Sequence, residues 1–364
     1  MRNKINFRQF DKTLFFTPIL IFMIGILSIY SASSKTHPSL YHPLVTKQIL
    51  WMGVGALLAL LIVRYNYFRL QDFVWPLYGA SVALLVTVLF VPARMGAHRW
   101  ISLGGFNFQP SEMAKLAVIL ALAQFFTGNR LEHISRLKRL VPFMIVGGPF
   151  LLILKQPDLG TALTLVPVLF VMLYFWGVKP RTLFLLVFAA ALLTPFFFHF
   201  MKDYQRARLL VFVNPNLDPL GAGYNIIQSK IAIGSGGLFG KGFMGGTQSQ
   251  LNFLPERHTD FIFSVIAEEG GFAASVAVVV LFWLIVQKGF LICGQTPDRF
   301  GSQLACGITT MIGLQALINL GMTMGLLPVV GMPLPLVSYG GTSVVVTMVF
   351  IGLLLNIKVH RPLF

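Results

Sequence analysis

LFFTPILIFMIGILSIYSAS, residues 14–33, is the stretch whose reading decides the fold. It follows Arg2, Lys4, Arg8 and Lys12 and ends on Ser31-Ala32-Ser33, a small-residue pattern that resembles a signal-peptide cleavage site. A secretory apolar region is about 7–15 residues long, whereas about 20 apolar residues are needed to cross a bilayer. This run has the longer length and reads as a retained membrane helix.

The composition agrees. Hydrophobic residues make up 56% of the 364-residue chain and charged residues only 11%, where a soluble domain carries about 25% charged residues. Further apolar runs lie near 48–63, 73–91, 111–127, 140–154, 160–177, 182–200, 270–287, 303–325 and 342–357, which with the first make ten spans. Gly147-Gly148-Pro149 predicts a kink in the fifth. With the N-terminus inside, the inner segments hold sixteen Lys and Arg, against five (Lys35, Lys47, Arg94, Arg99, Lys155) in the short outer loops. That asymmetry places both termini in the cytoplasm, and it accounts for much of the net charge of +16 without a nucleic-acid partner. Cys293 and Cys306 match no metal spacing. The expected architecture is all-α and polytopic: one membrane domain over residues 1–364, about ten helices, and a large outer loop (about 201–269) between helices seven and eight.

That loop is basic (Arg206, Arg208, Lys230, Lys241) and glycine-rich. Gly240-Lys241 does not open a phosphate loop, because Ser235 and Gly242 stand where a glycine and a Ser or Thr are needed. A flexible segment packed near a ligand is the expectation, with an amphipathic helix around Ile226, Ile227, Lys230, Ile231 and Ile233 lying on the membrane.

The 12 acidic residues narrow the search for chemistry. Asp11, Asp72, Glu132 and Asp298 sit among inner basic residues, where solvated charge suffices. None of the twelve falls at the centre of a span, which counts against a proton-driven pump. Glu112 and Lys115 share a helix face, as a helix-start ion pair or as a charged pair lining a cavity. Asp158 reads as a helix cap or a site residue. Residues 259–287 exceed one span and break naturally at Glu268-Glu269-Gly270-Gly271. The break sets residues 259–267 on a short outer helix, Glu268 and Glu269 at the interface, and Asp260 in the outer aqueous cleft. Asp260 is then a general base, a metal ligand or, with Thr259, an N-cap; His258 is its polar neighbour. The last outer loop, 325–343, reads as a rigid re-entrant turn whose hydroxyls, Ser338 among them, bind sugar or phosphate or cap the tenth helix.

Four motifs, Gln109-Pro110-Ser111-Glu112 with Lys115, Gln156-Pro157-Asp158-Leu159-Gly160-Thr161, Leu254 through Phe261 and Pro335 through Ser343, occur in the order found in the SEDS family (shape, elongation, division and sporulation). The resemblance covers essentially the whole chain, and the short N-terminal tail and loops resemble the RodA branch more than the FtsW branch. It implies a peptidoglycan glycosyltransferase of the bacterial cytoplasmic membrane, acting in cell elongation. Such an enzyme polymerises lipid II on the outer face and releases undecaprenyl pyrophosphate. It also implies a class B penicillin-binding protein and the elongation machinery as partners. By motif match, Asp260 corresponds to the family's essential aspartate, Glu112 and Lys115 to its charged pair, and Asp158 to a motif residue. Arg206, Arg208, Lys230 and Lys241 are then the expected pyrophosphate-binding cations, with a divalent ion (Mg or Mn) as a possible helper. The rival reading, a transporter or flippase of the lipid-linked precursor, needs polar groups along a path through the membrane; here they cluster at one face.

Overall fold

The structure, a computed structural model, describes residues 11–34, 42–92, 99–103, 106–200, 203–219, 221 and 223–361. Arg2, Lys4, Arg8, Lys35, Arg94 and Lys202 lie outside the described residues. Along the chain run α1 (Lys12–Ser33), α2 (Pro43–Arg64), α3 (Leu70–Thr87), a small hairpin of β1 (Ile101–Leu103) and β2 (Phe106–Phe108), α4 (Pro110–Gly128), α5 (Val141–Lys155), α6 (Leu159–Trp176), α7 (Pro180–Phe200), α8 (Asp203–Val213), α9 (Tyr224–Ser235), α10 (Thr247–Gln250), α11 (Ile262–Gln295), α12 (Arg299–Thr323) and α13 (Gly341–His360).

Among the described residues, nine helices are long and apolar enough to cross a membrane: α1 to α6 and α11 to α13. The 21 residues of α7 reach about 31 Å at 1.5 Å per residue, the thickness of a hydrocarbon core. The ten-helix, all-α expectation therefore holds. The helices mostly outrun their apolar stretches because polar ends also wind. Asp11 caps α1 through the Leu14 amide at 3.1 Å, and Asp298 caps α12 through the Gly301 amide at 2.6 Å. These two acids do structural work where simple solvation was expected.

α13, α4 and α12 form the centre, and α2 and α3 the flank. Gly352 lets α13 touch α2 so closely that a Cβ there would lie 2.7 Å from the Ala59 Cα. Leu57, Leu60, Phe73, Leu151 and Phe184 stay exposed on outward faces, as side chains do when lipid replaces water. The kink motif of α5 lies within one continuous helix, with Pro149 inside it.

The predicted break in the eighth apolar segment exists, at Gly271, with φ 66° and ψ −160° inside α11. Its lead-in piece runs from Ile262 rather than covering 259–267. A break orphans carbonyls before it and amides after it. Here the glycine-rich loop satisfies both sets. The Lys241 and Gly242 amides donate to the Glu268 and Glu269 carbonyls at 3.0 Å each, and the Phe272 and Ala273 amides donate to the Gly237 and Leu238 carbonyls at 2.9 and 3.1 Å. A Cβ on Gly236 or Gly240 would lie 2.0 or 2.1 Å from a carbonyl oxygen of α11. The glycines thus serve close backbone docking, which corrects the reading of a flexible ligand-packed loop.

Two other expectations change. Glu268 and Glu269, expected at the level of the interface, are buried in protein there rather than solvated. Glu268 pairs with Lys241 at 2.9 Å and accepts the Gln248 and Ser249 amides, while Glu269 accepts from the Ser31 hydroxyl. The amphipathic segment is helical as α9, but it buries Ile226, Ser229 and Ala232 against α11 and α12 instead of resting on the membrane alone. The re-entrant turn is as expected: Met332, Leu334, Leu336 and Val337 are all buried.

Candidate active site

The four motifs meet at one end of the bundle, and hydrogen bonds knit them together. Asp260 sits in the turn before α11. Its carbonyl accepts from the Asn319 amide of α12 at 2.9 Å, and the same amide group donates to the Met332 carbonyl at 2.7 Å. Ser338 is buried; its hydroxyl donates to the Thr259 carbonyl at 2.6 Å and accepts from the Leu334 amide at 2.8 Å. The Tyr339 amide donates to the His258 carbonyl at 2.9 Å. The re-entrant turn and the Asp260 segment are thus one unit. Glu256 (φ 49°) and Leu336 (φ 64°), one on each side, hold left-handed backbone, a strain that persists only where surroundings enforce it.

The other two motifs join through Gln109. Its side-chain amide donates to Asp158 at 3.2 Å, and its backbone amide donates to the Thr342 hydroxyl at 3.3 Å. Asp158 caps α6, accepting the Thr161 amide at 3.2 Å and the Thr161 hydroxyl at 2.9 Å. The cap reading is therefore realised, and the charge still reaches Asp260. Glu112 and Lys115 pair at 2.6 Å with side chains 5% and 1% exposed. A pair this dry, about one turn inside α4, is more than a solvated helix-start contact.

Asp260 is half-buried, with its carboxylate beside Gly331. Burial pushes its pKa up to about 6; Glu256 and, more weakly, Asp158 push the same way, while Arg208 and Arg99 pull back. The outcome is a carboxylate that ionises near neutrality with cations in range, which suits a general base beside an anionic leaving group. His258 has its pKa lowered by burial, with Glu256 opposing and Arg257 assisting. Its ring lies 6.1 Å from that of Tyr339. Arg257 is held by the Ala32 carbonyl at 2.6 Å and by Asn252. A cavity of about 400 Å³ between α1, α2 and residues 252–258 opens alongside.

The structure sorts the basic candidates. Arg208, on α8, acts on Asp260; Arg206 lies two residues away, about 200° round the helix. Lys230 is exposed on α9 and packs beside Gly325. Lys241 belongs to Glu268 and is not brought to Asp260. Sequence reasoning missed Arg99, whose guanidinium donates to the Gln156 carbonyl at 3.2 Å and to the Pro157 carbonyl. Asn319 was also missed, although a buried amide on a membrane helix is itself a signal. Among the described residues no three His, Cys, Asp or Glu side chains form a group able to cage a metal ion.

The family model for the cell cycle proteins FtsW, RodA and SpoVE matches residues 11–362. The chain belongs to the FtsW/RodA/SpoVE family. Among relatives of this family member, the peptidoglycan glycosyltransferase MrdB of Escherichia coli (strain K12) is 39% identical over 356 residues, covering 97% of this chain and 94% of MrdB. The peptidoglycan glycosyltransferase RodA of Treponema pallidum is 34% identical over 427 residues, covering 97% and 98%. Two solved structures share the fold. One, of a peptidoglycan synthase complex that coordinates polymerization and crosslinking, has TM-score 0.82 at 37% identity, covering 96% of this chain and 97% of its own. The other, the rod shape determining protein RodA of Thermus thermophilus, has TM-score 0.73 at 33% identity, covering 98% and 99%.

Proposed function

We propose that this chain is a peptidoglycan glycosyltransferase that polymerises lipid II into β-1,4-linked glycan and releases undecaprenyl pyrophosphate. The observation that carries the reading is the Asp260 carboxylate, raised toward neutrality by burial and flanked by Arg99 and Arg208. Membership of a family whose relatives are named for this activity supports it.

The step needs one base. The acceptor sugar's hydroxyl gives its proton to the Asp260 carboxylate as its oxygen bonds to the donor's anomeric carbon. The bond from that carbon to the pyrophosphate oxygen breaks, and the pyrophosphate leaves with the electron pair. Arg99 and Arg208 stabilise the charge it carries away, so no strong acid is required. Inversion at the anomeric carbon follows from a single displacement. Glu112 and Lys115 form a buried ion pair in α4, Ser338 and the His258 carbonyl hold the segment that carries Asp260, and Asp158 joins α6 to Gln109. Among the described residues no three His, Cys, Asp or Glu side chains group beside Asp260, and the residues that act in the step are Asp260, Arg99 and Arg208. A divalent cation in this reading arrives on the pyrophosphate.

The positive-inside asymmetry supports a cytoplasmic-membrane location with Asp260 on the extracytoplasmic face. A class B penicillin-binding protein is the proposed partner, supported by the likeness to a synthase complex that couples polymerization to crosslinking. The test is direct. The purified chain, alone and with that partner, is incubated with lipid II and the products are run on a gel. A glycan ladder is expected; no ladder from the complex sinks the reading.

A further inference from the structure

A cavity of about 890 Å³ opens at the other end of the bundle from Asp260. The 18 residues of α6 separate the two, because Asp158 caps one end and Trp176 lines the cavity at the other; that is about 27 Å. The volume falls within the range of about 300–1,000 Å³ usual for small-molecule sites.

Its rim is cationic. Arg130, Arg139, Lys179 and Arg299 line it, and none of the four makes a side-chain hydrogen bond or ion pair among the described residues. Of the two carboxylates present, Asp298 is occupied by the Gly301 amide and the Tyr67 hydroxyl, which leaves Glu132. Below the rim the walls turn apolar, with Phe126, Phe143, Leu173 and Leu186. One polar group interrupts them. Gln303 is 5% exposed, and its side-chain carbonyl oxygen is buried without a partner. A buried acceptor of this kind needs a donor.

A cationic rim over an apolar slot, at the level where the spanning helices end, selects an amphiphile with a negative head. We propose that this cavity binds a membrane phospholipid whose headgroup carries an anionic phosphate and a hydroxyl. The phosphate rests among Arg130, Arg139, Lys179 and Arg299, the hydroxyl donates to the Gln303 carbonyl, and an acyl chain follows Phe126, Phe143 and Leu186. Phosphatidylglycerol has that chemistry. Among the described residues α7 packs on α6, and the lipid fills the gap between α7 and the rest of the bundle and fixes α7 in place.

The test uses the full chain in mixed micelles, with bound lipid counted by native mass spectrometry. Phosphatidylglycerol is expected to bind in preference to phosphatidylcholine. The exposed pair Arg139→Ala and Arg299→Ala is expected to weaken phosphatidylglycerol binding about 25-fold, at roughly fivefold per cation near a membrane surface, with phosphatidylcholine unaffected. Leu186→Trp, which fills the chain path and leaves the cations, is expected to lose the lipid as well. Unfolding temperatures in phosphatidylcholine micelles report whether the variants fold. Equal retention of the two lipids by the unaltered chain would reduce the cavity to an apolar slot. Displacement by equimolar glycerol 3-phosphate would make it a soluble-anion site. Unchanged binding in the double variant would remove the role given to the cations; each of these three results overturns the proposal.

Discussion

Replacing Lys115 by methionine removes the ammonium and leaves the Glu112 carboxylate buried, 2.6 Å from where its partner stood. Stripping one member from a buried pair costs about 3–5 kcal/mol. Glu112 lies in the first turn of α4, where the helix dipole returns up to ~2 kcal/mol to an anion. Lys115→Met should therefore cost about 2–4 kcal/mol. Glu112→Gln strands a cation that the same dipole repels, so it should cost the full ~3–5 kcal/mol or more. The double variant removes both charges and should return to within ~1–2 kcal/mol of the original chain. Thermal unfolding in one fixed detergent, followed by tryptophan fluorescence, reads the series. At about 2 °C per kcal/mol, Lys115→Met unfolds about 4–8 °C early, Glu112→Gln earlier still, and the double variant close to normal. If the pair also serves the reaction proposed for Asp260, the restored double variant makes little glycan. Single variants that unfold at the original temperature would refute the burial argument. A double variant that polymerises normally would leave the pair a structural contact only.

Three further outcomes are expected. Asp260 must be ionised to accept a proton; with its pKa raised to about 6, polymerisation should fall about tenfold per pH unit below 6 and level off above it. A profile that bends near pH 4 would show the carboxyl to be solvated. Arg99→Ala removes both the cation proposed to meet the pyrophosphate and the clamp on the Gln156-Pro157 turn, so glycan synthesis should drop by roughly a hundredfold to a thousandfold, in line with the loss of one charge-stabilising donor; an unchanged rate would confine Arg99 to the turn. Gly240→Ala puts a side chain where φ is +78°, costing about 1–2 kcal/mol before the clash with the Glu269 carbonyl is counted. The loop should undock and become open to limited proteolysis between residues 236 and 246, and equal protease resistance would show that docking does not depend on the glycine.

What could be read in the sequence was what local chemistry dictates. Apolar length gave the spans, and Glu268-Glu269-Gly270-Gly271 marked the helix break that the structure places at Gly271. The scarcity of acids left Glu112, Asp158, Asp260, Glu268 and Glu269 near the outer face, and the family resemblance singled out Asp260 among them. What could not be read depended on contacts distant in sequence. The nine glycines of the long loop predict close approach to something, but nothing local says that the something is the backbone of α11. Lys241 looked free because its partner, Glu268, is 27 residues away. Arg99 looked like one outer cation among several, since only the folded chain brings it to the Gln156-Pro157 turn. Ser338 was legible as a hydroxyl in a rigid turn, yet its partners, Thr259 and Leu334, show that it holds the segment carrying Asp260.

The claim that organises the rest is that Asp260 removes the acceptor's proton. The most direct measurement is the rate of lipid II polymerisation by the purified complex carrying Asp260→Ala, beside the unaltered complex, at pH 7.5 and with partner binding shown equal. Loss of a positioned base is worth about 10²–10⁴-fold, so the glycan ladder should disappear on the timescale that exhausts lipid II in the control. A ladder formed at the control rate would contradict the account, and the base would have to be sought elsewhere on that face.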